Sequence, residues 1–164
     1  HRRRTTYARA MRHALLIAAL ALCALAPGAF AQEPGLAIWE RGNCSLCHGS
    51  FAQGGIGMGA PVGPNLRETR LDRAGLIAKI SCGTPGGGMP MNRTGAYERV
   101  ACYGLPLGPA PEGTRRNTNL EEQEIHLLVD FLLRHVVGQM PVTRARCAVF
   151  MGGDPSHPGC ASVR

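Results

Sequence analysis

The sequence predicts an all-α fold, and three observations support that prediction. Three segments place apolar residues at the spacing that buries one face of a helix. The stretches between them, 51–65 and 83–118, contain too many glycines and prolines for regular structure. No segment alternates apolar and polar residues as a half-buried strand does. With one Trp, three Tyr and four Phe, the core is short of large side chains unless a bound group fills its centre.

The first helix is predicted over 35–47 and the second over 72–80. Asp72 is the predicted N-cap of the second helix, because its carboxylate can accept a hydrogen bond from a free N–H of the first turn. The apolar positions of the two helices are Leu36, Ile38, Trp39 and Leu46, and Leu76, Ile77 and Ile80.

The third helix has the most regular pattern and is predicted over 120–137. Asn119 is its predicted N-cap, and Glu122 follows three residues later, as in a capping box. Gly138 and Pro141 are typical of a helix end. The apolar residues at helical spacing are Ile125, Leu128, Val129, Leu132 and Val136.

The run Cys44-Ser45-Leu46-Cys47-His48 is the main functional motif. A C-x-x-C-H run is the attachment signature of a c-type haem. Two thiols three residues apart on a helical turn can bond to one porphyrin, and the adjacent imidazole then becomes an axial iron ligand. The motif therefore predicts one covalent haem c, with Cys44 and Cys47 as attachment points and His48 as iron ligand.

Three other interpretations of this C-x-x-C remain open: half of a zinc site, a thioredoxin-like redox pair, or a structural disulfide. Zinc would need a second ligand pair at similar spacing, and none of the other cysteines lies close to another. A redox pair is more typical of a βαβ pattern, and no strand-rich segment is evident.

The N-terminal region predicts export. Met11 begins a basic stretch, an apolar run covers 14–26, and Ala29-Phe30-Ala31 has the small-x-small pattern of a cleavage site. We interpret 1–10 as an upstream extension, so 1–31 would be absent from a periplasmic mature protein that has no membrane anchor. The apolar run is shorter than the roughly 20 residues that span a bilayer. An uncleaved anchor, or a lipoprotein site at Cys23, are the alternatives.

Removal of this leader changes the meaning of the net charge of +7. Five of the eighteen basic residues precede Ala31, whereas all eleven acidic residues follow it, and thirteen minus eleven leaves +2. The basic character is therefore no evidence for nucleic-acid binding, and no nucleic-acid partner is expected.

Four further cysteines follow the motif, and an even number in an exported protein predicts two disulfides. The nearest-neighbour pairing is Cys82–Cys102 and Cys147–Cys160, which closes two separate loops. A mixture of free thiols is the alternative.

The order of features resembles the class I, single-haem c-type cytochromes over about 35–138. The matching features are a helix, C-x-x-C-H, a glycine-rich loop, Gly63-Pro64-Asn65-Leu66, a short helix, Met89-Pro90 and a long C-terminal helix. The resemblance implies a class I cytochrome c fold with helices packed around the haem. It also implies that the Pro64 carbonyl accepts a hydrogen bond from His48, which orients the ring and raises its basicity.

The resemblance further implies that Met89 is the sixth iron ligand. Met91 remains an alternative, because it is two residues away and would point the same way in an extended segment. An open iron site is the third possibility. No ligand role is expected for Met58, Met140, Met151, His126, His135 and His157.

The chain departs from the minimal pattern in two places. About thirty residues separate Met89 from Asn119, which gives a long loop insertion over 92–118. A C-terminal extension covers 139–164. The predicted organisation is therefore a leader over 1–31, a cytochrome c domain over 32–138 and an extension closed by a disulfide.

A His/Met-ligated iron has no free axial position, so the expected function is electron transfer and not catalysis. The expected partners are periplasmic redox proteins: a donor dehydrogenase or quinol-oxidising complex, and an acceptor oxidase or reductase. Two alternatives remain: the haem subunit of a heteromeric periplasmic oxidoreductase, and a five-coordinate haem protein that reacts with a gas or peroxide.

Overall fold

The structure, a computed structural model, describes residues 32–55 and 62–163. The predicted leader over 1–31 and the loop residue Met58 lie outside the described residues. Among the helices that are described, none is long and apolar enough to cross a membrane.

Five α-helices and two short strands make up the described regular structure, together with two turns of 3₁₀ helix. The helices are α1 (Pro34–Arg41), α2 (Ser45–His48), α3 (Arg73–Cys82), α4 (Glu122–His135) and α5 (Arg144–Ala148), the strands are β1 (Met91–Arg93) and β2 (Arg116–Leu120), and the 3₁₀ turns are Leu66–Glu68 and Pro158–Cys160.

The predicted first helix is in fact two helices. α1 ends at Arg41, and a turn over 42–44 leads into α2. Gly42 weakens the helix at this point because it gains no side-chain packing and loses the most backbone entropy. Asn43 has a φ of 51°, the left-handed conformation that Asn tolerates better than most residues. The prediction of one continuous helix over 35–47 was therefore wrong.

α1 packs against α4, and a glycine permits the close approach of the two helices. A Cβ on Gly35 would lie 2.3 Å from Cβ of Phe131 and 2.6 Å from the backbone oxygen of Leu127. Any side chain at position 35 would push the helices apart, and α1 would no longer lie close against the core.

α3 confirms the predicted second helix and its cap. The Asp72 carboxylate accepts a hydrogen bond from the backbone N–H of Gly75 at 2.8 Å. The helix continues two residues beyond the predicted end, to Cys82. Gly83, with a φ of 66°, stops it there.

α4 confirms the third helix, but its predicted cap was wrong. The N-cap is Glu121, whose side chain accepts from the N–H of Glu124, while the Glu124 carboxylate accepts from the N–H of Glu121 at 2.9 Å. Leu120 belongs to β2 and not to the helix. Asn119 therefore lies inside the strand and cannot cap α4.

The two strands were not predicted, so the fold is mostly but not entirely α-helical. β1 and β2 run parallel, with Met91 opposite Arg116 and Arg93 opposite Leu120. The Met91 N–H donates to the Arg115 carbonyl at 2.8 Å, just ahead of β2. This pair fixes both ends of the 92–118 insertion at one place.

The core has two parts. The larger cluster lies among α1, α3 and α4 and includes Phe150 from the C-terminal extension. A smaller cluster lies between α3 and the insertion and is formed by Cys82, Met91, Ala96, Tyr97 and Cys102.

Both predicted disulfides are confirmed. Cys82 pairs with Cys102, with their Cα atoms 5.7 Å apart, and Cys147 pairs with Cys160, with their Cα atoms 5.8 Å apart. The first bond ties the insertion to the end of α3, and the second closes the extension.

Candidate haem site

The C-x-x-C-H residues lie on the turn after α1 and on α2. Cys44 is in the turn, and the backbone N–H of His48 donates to the Cys44 carbonyl at 3.0 Å. Cys44 and Cys47 both carry free thiols, whereas the other four cysteines of the described chain are paired. The two thiols and the imidazole all line one cavity.

His48 is buried, and its Nδ1 atom lies 3.0 Å from the Pro64 carbonyl oxygen. Nδ1–H donates in this contact, which leaves the Nε2 lone pair for another partner. Burial lowers the pKa of His48, and the hydrogen bond to Pro64 only partly opposes that shift. The imidazole is therefore neutral at pH 7, which is the form that binds a metal ion.

Gly63 makes this contact possible. A Cβ at Gly63 would lie 2.8 Å from both the Cys47 carbonyl oxygen and Nδ1 of His48. The Gly63 N–H also donates to the Cys47 carbonyl at 2.8 Å. The segment that carries Pro64 is thus pressed directly against the end of α2.

The cavity has a volume of about 390 Å³ and mostly apolar walls. This is within the range of about 300–1,000 Å³ that is common for ligand pockets. Besides the C-x-x-C-H residues, the walls come from α3, α4 and the loop before β1. The apolar residues from these elements are Leu76, Ile80, Leu128, Leu132, Met89 and Pro90.

The two candidate methionines lie in different places. Met89 lines the same cavity as Cys44, Cys47 and His48. Met91 is in β1, is buried, and packs in the smaller cluster with the Cys82–Cys102 disulfide. Met91 is not among the residues that line the cavity.

Lys79 is the single side chain with a permanent charge among the described residues that line the cavity. Its Nζ atom lies 3.5 Å from Oγ1 of Thr84 and 5.5 Å from the ring centroid of Tyr103. A cation near an aromatic ring face is stabilised by the ring quadrupole. The cavity lining therefore includes one positive charge, held near Thr84 and the Tyr103 ring.

The alternative functions of the C-x-x-C find little support in this geometry. Residue Cys44 is partly exposed, but its thiol is enclosed, and this burial raises its pKa to about 12. A redox pair needs a thiolate with a lowered pKa. Within 32–55 and 62–163, no three His, Cys, Asp or Glu residues lie together as a zinc ligand set.

These residues fit a haem c. Two free thiols, a neutral imidazole oriented through Nδ1 and a methionine thioether share one largely apolar cavity. Thioether bonds to Cys44 and Cys47 would hold the porphyrin, and the nitrogen and sulfur donors suit iron.

Three histidines outside the motif lie away from the cavity lining. His135 Nε2 lies 2.7 Å from a Glu33 carboxylate oxygen, and His126 Nε2 lies 3.9 Å from Glu122. His157 Nδ1 accepts from the N–H of Gly159 at 3.0 Å in the extension. The first two thus lie near carboxylates, and the third accepts a backbone hydrogen bond.

Comparison with known families agrees with this site. Residues 30–101, which is less than half of the chain, match the family model described as cytochrome C oxidase, cbb3-type, subunit III. The match supports a c-type cytochrome. The matched range includes the C-x-x-C-H residues, Pro64 and Met89. No curated protein and no solved structure matches the chain.

Sequence reasoning missed several residues around this candidate haem site. The sequence could have drawn attention to Lys79, because it is the one lysine among eighteen basic residues. Trp39 was predicted only as an apolar position, yet its ring centroid lies 6.4 Å from that of His48. Tyr103 and Arg115 of the insertion had no local pattern that could have identified them.

Proposed function

We propose that the mature chain is a periplasmic single-haem cytochrome c that carries one electron through an iron ligated by His48 and Met89. The observation that carries this proposal is that Met89 lines the same cavity as Cys44, Cys47 and His48. The bound haem supplies the one-electron chemistry.

The protein side chains have separate roles in this proposal. Cys44 and Cys47 hold the haem through thioethers. Pro64 fixes the His48 ring plane and its tautomer through the Nδ1 contact, and this raises the basicity of the ligand nitrogen. A thioether as the second axial ligand favours a raised reduction potential. With both axial positions filled, substrate has no place to bind at the iron.

Electron exchange needs one edge of the cofactor close to the surface. Val62 and Leu71 line the cavity and are exposed, Val62 to 69%. Apolar side chains at the mouth of the cavity suit a short-lived contact with a redox partner, because they exclude water without a strong ion pair. We propose a dehydrogenase or quinol-oxidising complex as donor and an oxidase or reductase as acceptor.

A second candidate is a haem subunit of a heteromeric oxidoreductase. The observation that favours it is the match to a family described as an oxidase subunit. In that case the protein should co-purify with other subunits at fixed stoichiometry after mild solubilisation of the cells. An isolated monomer would favour the diffusing carrier.

The test is the visible spectrum of the haem-loaded protein, before and after carbon monoxide is added to the reduced form. We expect a low-spin spectrum with the ferric iron–methionine charge-transfer band and no change with carbon monoxide. Met89→Ala should remove the band and permit carbon monoxide binding, whereas the control Met91→Ala should keep the band. A high-spin wild-type spectrum that shifts with carbon monoxide would contradict the carrier and favour a gas- or peroxide-reactive site.

A further inference from the structure

The insertion over 92–118 is ordered and fixed against α3. Tyr97 and Cys102 are buried with Cys82 and Met91 in the smaller cluster. The Cys82–Cys102 disulfide ties this cluster to the last residue of α3. The first part of the insertion, up to Cys102, is therefore packed beside the segment 83–90, which we call the methionine loop because it carries Met89.

Two tyrosines of the insertion contact the junction between α3 and the methionine loop. The Tyr97 hydroxyl donates to the Cys82 carbonyl at 3.0 Å, and the Tyr103 hydroxyl donates to the Gly83 carbonyl. Burial raises the pKa of both tyrosines, so both hydroxyls remain protonated donors at neutral pH.

The far side of the insertion holds the rest of the loop. Arg115 Nη2 donates to the Gly88 carbonyl at 3.1 Å, one residue before Met89. The Gly86 N–H donates to Oγ1 of Thr114 at 3.3 Å. The Met91 N–H donates to the Arg115 carbonyl at 2.8 Å. Arg115 thus contacts the chain on both sides of Met89.

The methionine loop is also closed on itself. The Thr84 N–H donates to the Met89 carbonyl at 2.8 Å. A Cβ on Gly83, whose φ is 66°, would lie 2.6 Å from both the Met89 oxygen and the Met91 nitrogen. The backbone at Met89 cannot move outward without separating from Gly83 or breaking the contacts made by the insertion.

We propose that the insertion is a lock on the axial methionine, and that Arg115 is a positioning residue which keeps Met89 in the cavity and so excludes small ligands from the iron. This rests on the proposed function, since it takes Met89 as an iron ligand. The Met89 sulfur can leave the iron only if the methionine loop opens. A small anion or neutral molecule reaches ferric iron only through that open state, so the cost of opening sets its rate of binding.

The experiment measures the rate at which cyanide binds to the ferric haem-loaded protein. Arg115→Ala should bind cyanide about threefold faster than wild type, since an exposed hydrogen bond from a charged donor next to Met89 is lost. Arg116→Ala is the matched control, because Arg116 Nη1 donates to the Arg93 carbonyl within the insertion and not to the methionine loop. Its rate should equal that of wild type.

Two further variants separate the lock from a general loss of stability. Arg115→Lys keeps a charged donor and should restore part of the slow rate. Tyr103→Phe loses the hydroxyl bond to Gly83 and should accelerate cyanide binding independently of Arg115. Thermal unfolding of each variant shows whether the protein remains folded at the temperature of the kinetic measurement.

The outcomes distinguish the lock from the function on which it rests. A wild-type protein that lacks the iron–methionine band and binds carbon monoxide overturns the proposed function. If that band is present but Arg115→Ala, Tyr103→Phe and wild type bind cyanide at one rate, the lock is wrong. Equal acceleration in Arg115→Ala and Arg116→Ala would also overturn it, because the effect would then be a general loosening of the insertion.

Discussion

Phe150 packs edge-on against Trp39, with ring centroids 5.9 Å apart and ring planes at 69°. It makes similar contacts with Phe131 at 5.5 Å and Phe51 at 6.1 Å. One residue of the C-terminal extension therefore joins α1, α4 and the loop that follows the haem motif. Trp39 in turn lies beside His48, so the extension contacts the cavity lining through Trp39.

Replacement of Phe150 should test this contact. Phe150→Ala is expected to lower the free energy of unfolding by about 3–5 kcal/mol, because it removes a buried ring from a packed aromatic cluster. The control is Leu107→Ala, since Leu107 is 60% exposed and should change stability by less than about 0.5 kcal/mol. Denaturant titration of both variants measures the difference. Equal stabilities would show that the extension is not part of the core in solution.

The contact between Gly63 and α2 predicts a redox effect. Gly63→Ala places a methyl group against Nδ1 of His48 and should weaken the bond to Pro64. A less basic imidazole stabilises ferric iron less, so the reduction potential should rise. Gly108→Ala is the control, because a Cβ there meets no atom within 4 Å. Potentiometric titration checks both, and an unchanged potential in Gly63→Ala would contradict the role given to Pro64.

Removal of the charge at Lys79 should shift the potential in the opposite direction. A cation beside the cavity favours the reduced iron, which carries one positive charge less. Lys79→Met should therefore lower the reduction potential by an amount on the order of tens of millivolts. Arg144→Met removes the same charge from α5, away from the cavity lining, and should have a much smaller effect. Similar shifts in the two variants would show that Lys79 acts only through net charge.

The cap of α4 predicts a pH-dependent contribution to stability. The pKa of Glu124 is lowered mainly by the hydrogen bond from the Glu121 N–H, and further by the contact with Arg41. Because the folded pKa is the lower one, this stabilisation is present above the ordinary pKa and is lost as the pH falls through the folded pKa.

Glu124→Gln should therefore unfold more easily than wild type at pH 7, by less than about 1 kcal/mol since the pair is largely exposed. The two proteins should converge at a pH below the folded pKa. Glu98→Gln, at an exposed position outside the helices, should match wild type throughout. Denaturant midpoints over the acidic range provide the measurement. A difference that persists in acid would mean that the charge of Glu124 is not the cause.

The features that the sequence predicted depend on neighbouring residues. Asp72 caps α3 because its carboxylate reaches an N–H three residues later. A contact over so short a separation can be predicted from the neighbouring residues alone. The two disulfides follow the nearest-neighbour pairing for a similar reason. C-x-x-C-H was likewise identified from five adjacent residues, whereas the role of Pro64, sixteen residues later, came from the family resemblance.

The features that were missed depend on distant partners. Asn119 and Glu122 satisfy the pattern of a capping box, but Leu120 pairs with Arg93, 27 residues earlier, and this shifts the cap to Glu121. The three residues of β1 are too short for a pattern of alternation. Phe150 had no local signal, because the cluster that buries it comes from α1, α4 and the loop after α2.

Arg67 is another residue whose position depends on partners distant in sequence. It is 1% exposed, and it donates to the Phe51 carbonyl at 2.7 Å and to the Gln139 carbonyl at 3.0 Å. Its Nη1 atom also donates to the carbonyl of His135, the last residue of α4, at 3.4 Å, and the negative end of the helix dipole there stabilises a cation without a carboxylate. Its sequence neighbours give no sign that this arginine is internal.

The enclosure of the Cys44 thiol has a consequence for biosynthesis. In the folded chain this sulfur is shielded, and the aromatic cluster behind α1 closes only when Phe150 meets Trp39, a residue 111 positions earlier. Contacts so distant in sequence form slowly compared with a single helix. On the proposed function, the Cys44 thiol is more accessible while the polypeptide is still open, so its thioether should form before the aromatic cluster closes. Folding would then take place around a porphyrin that is already attached.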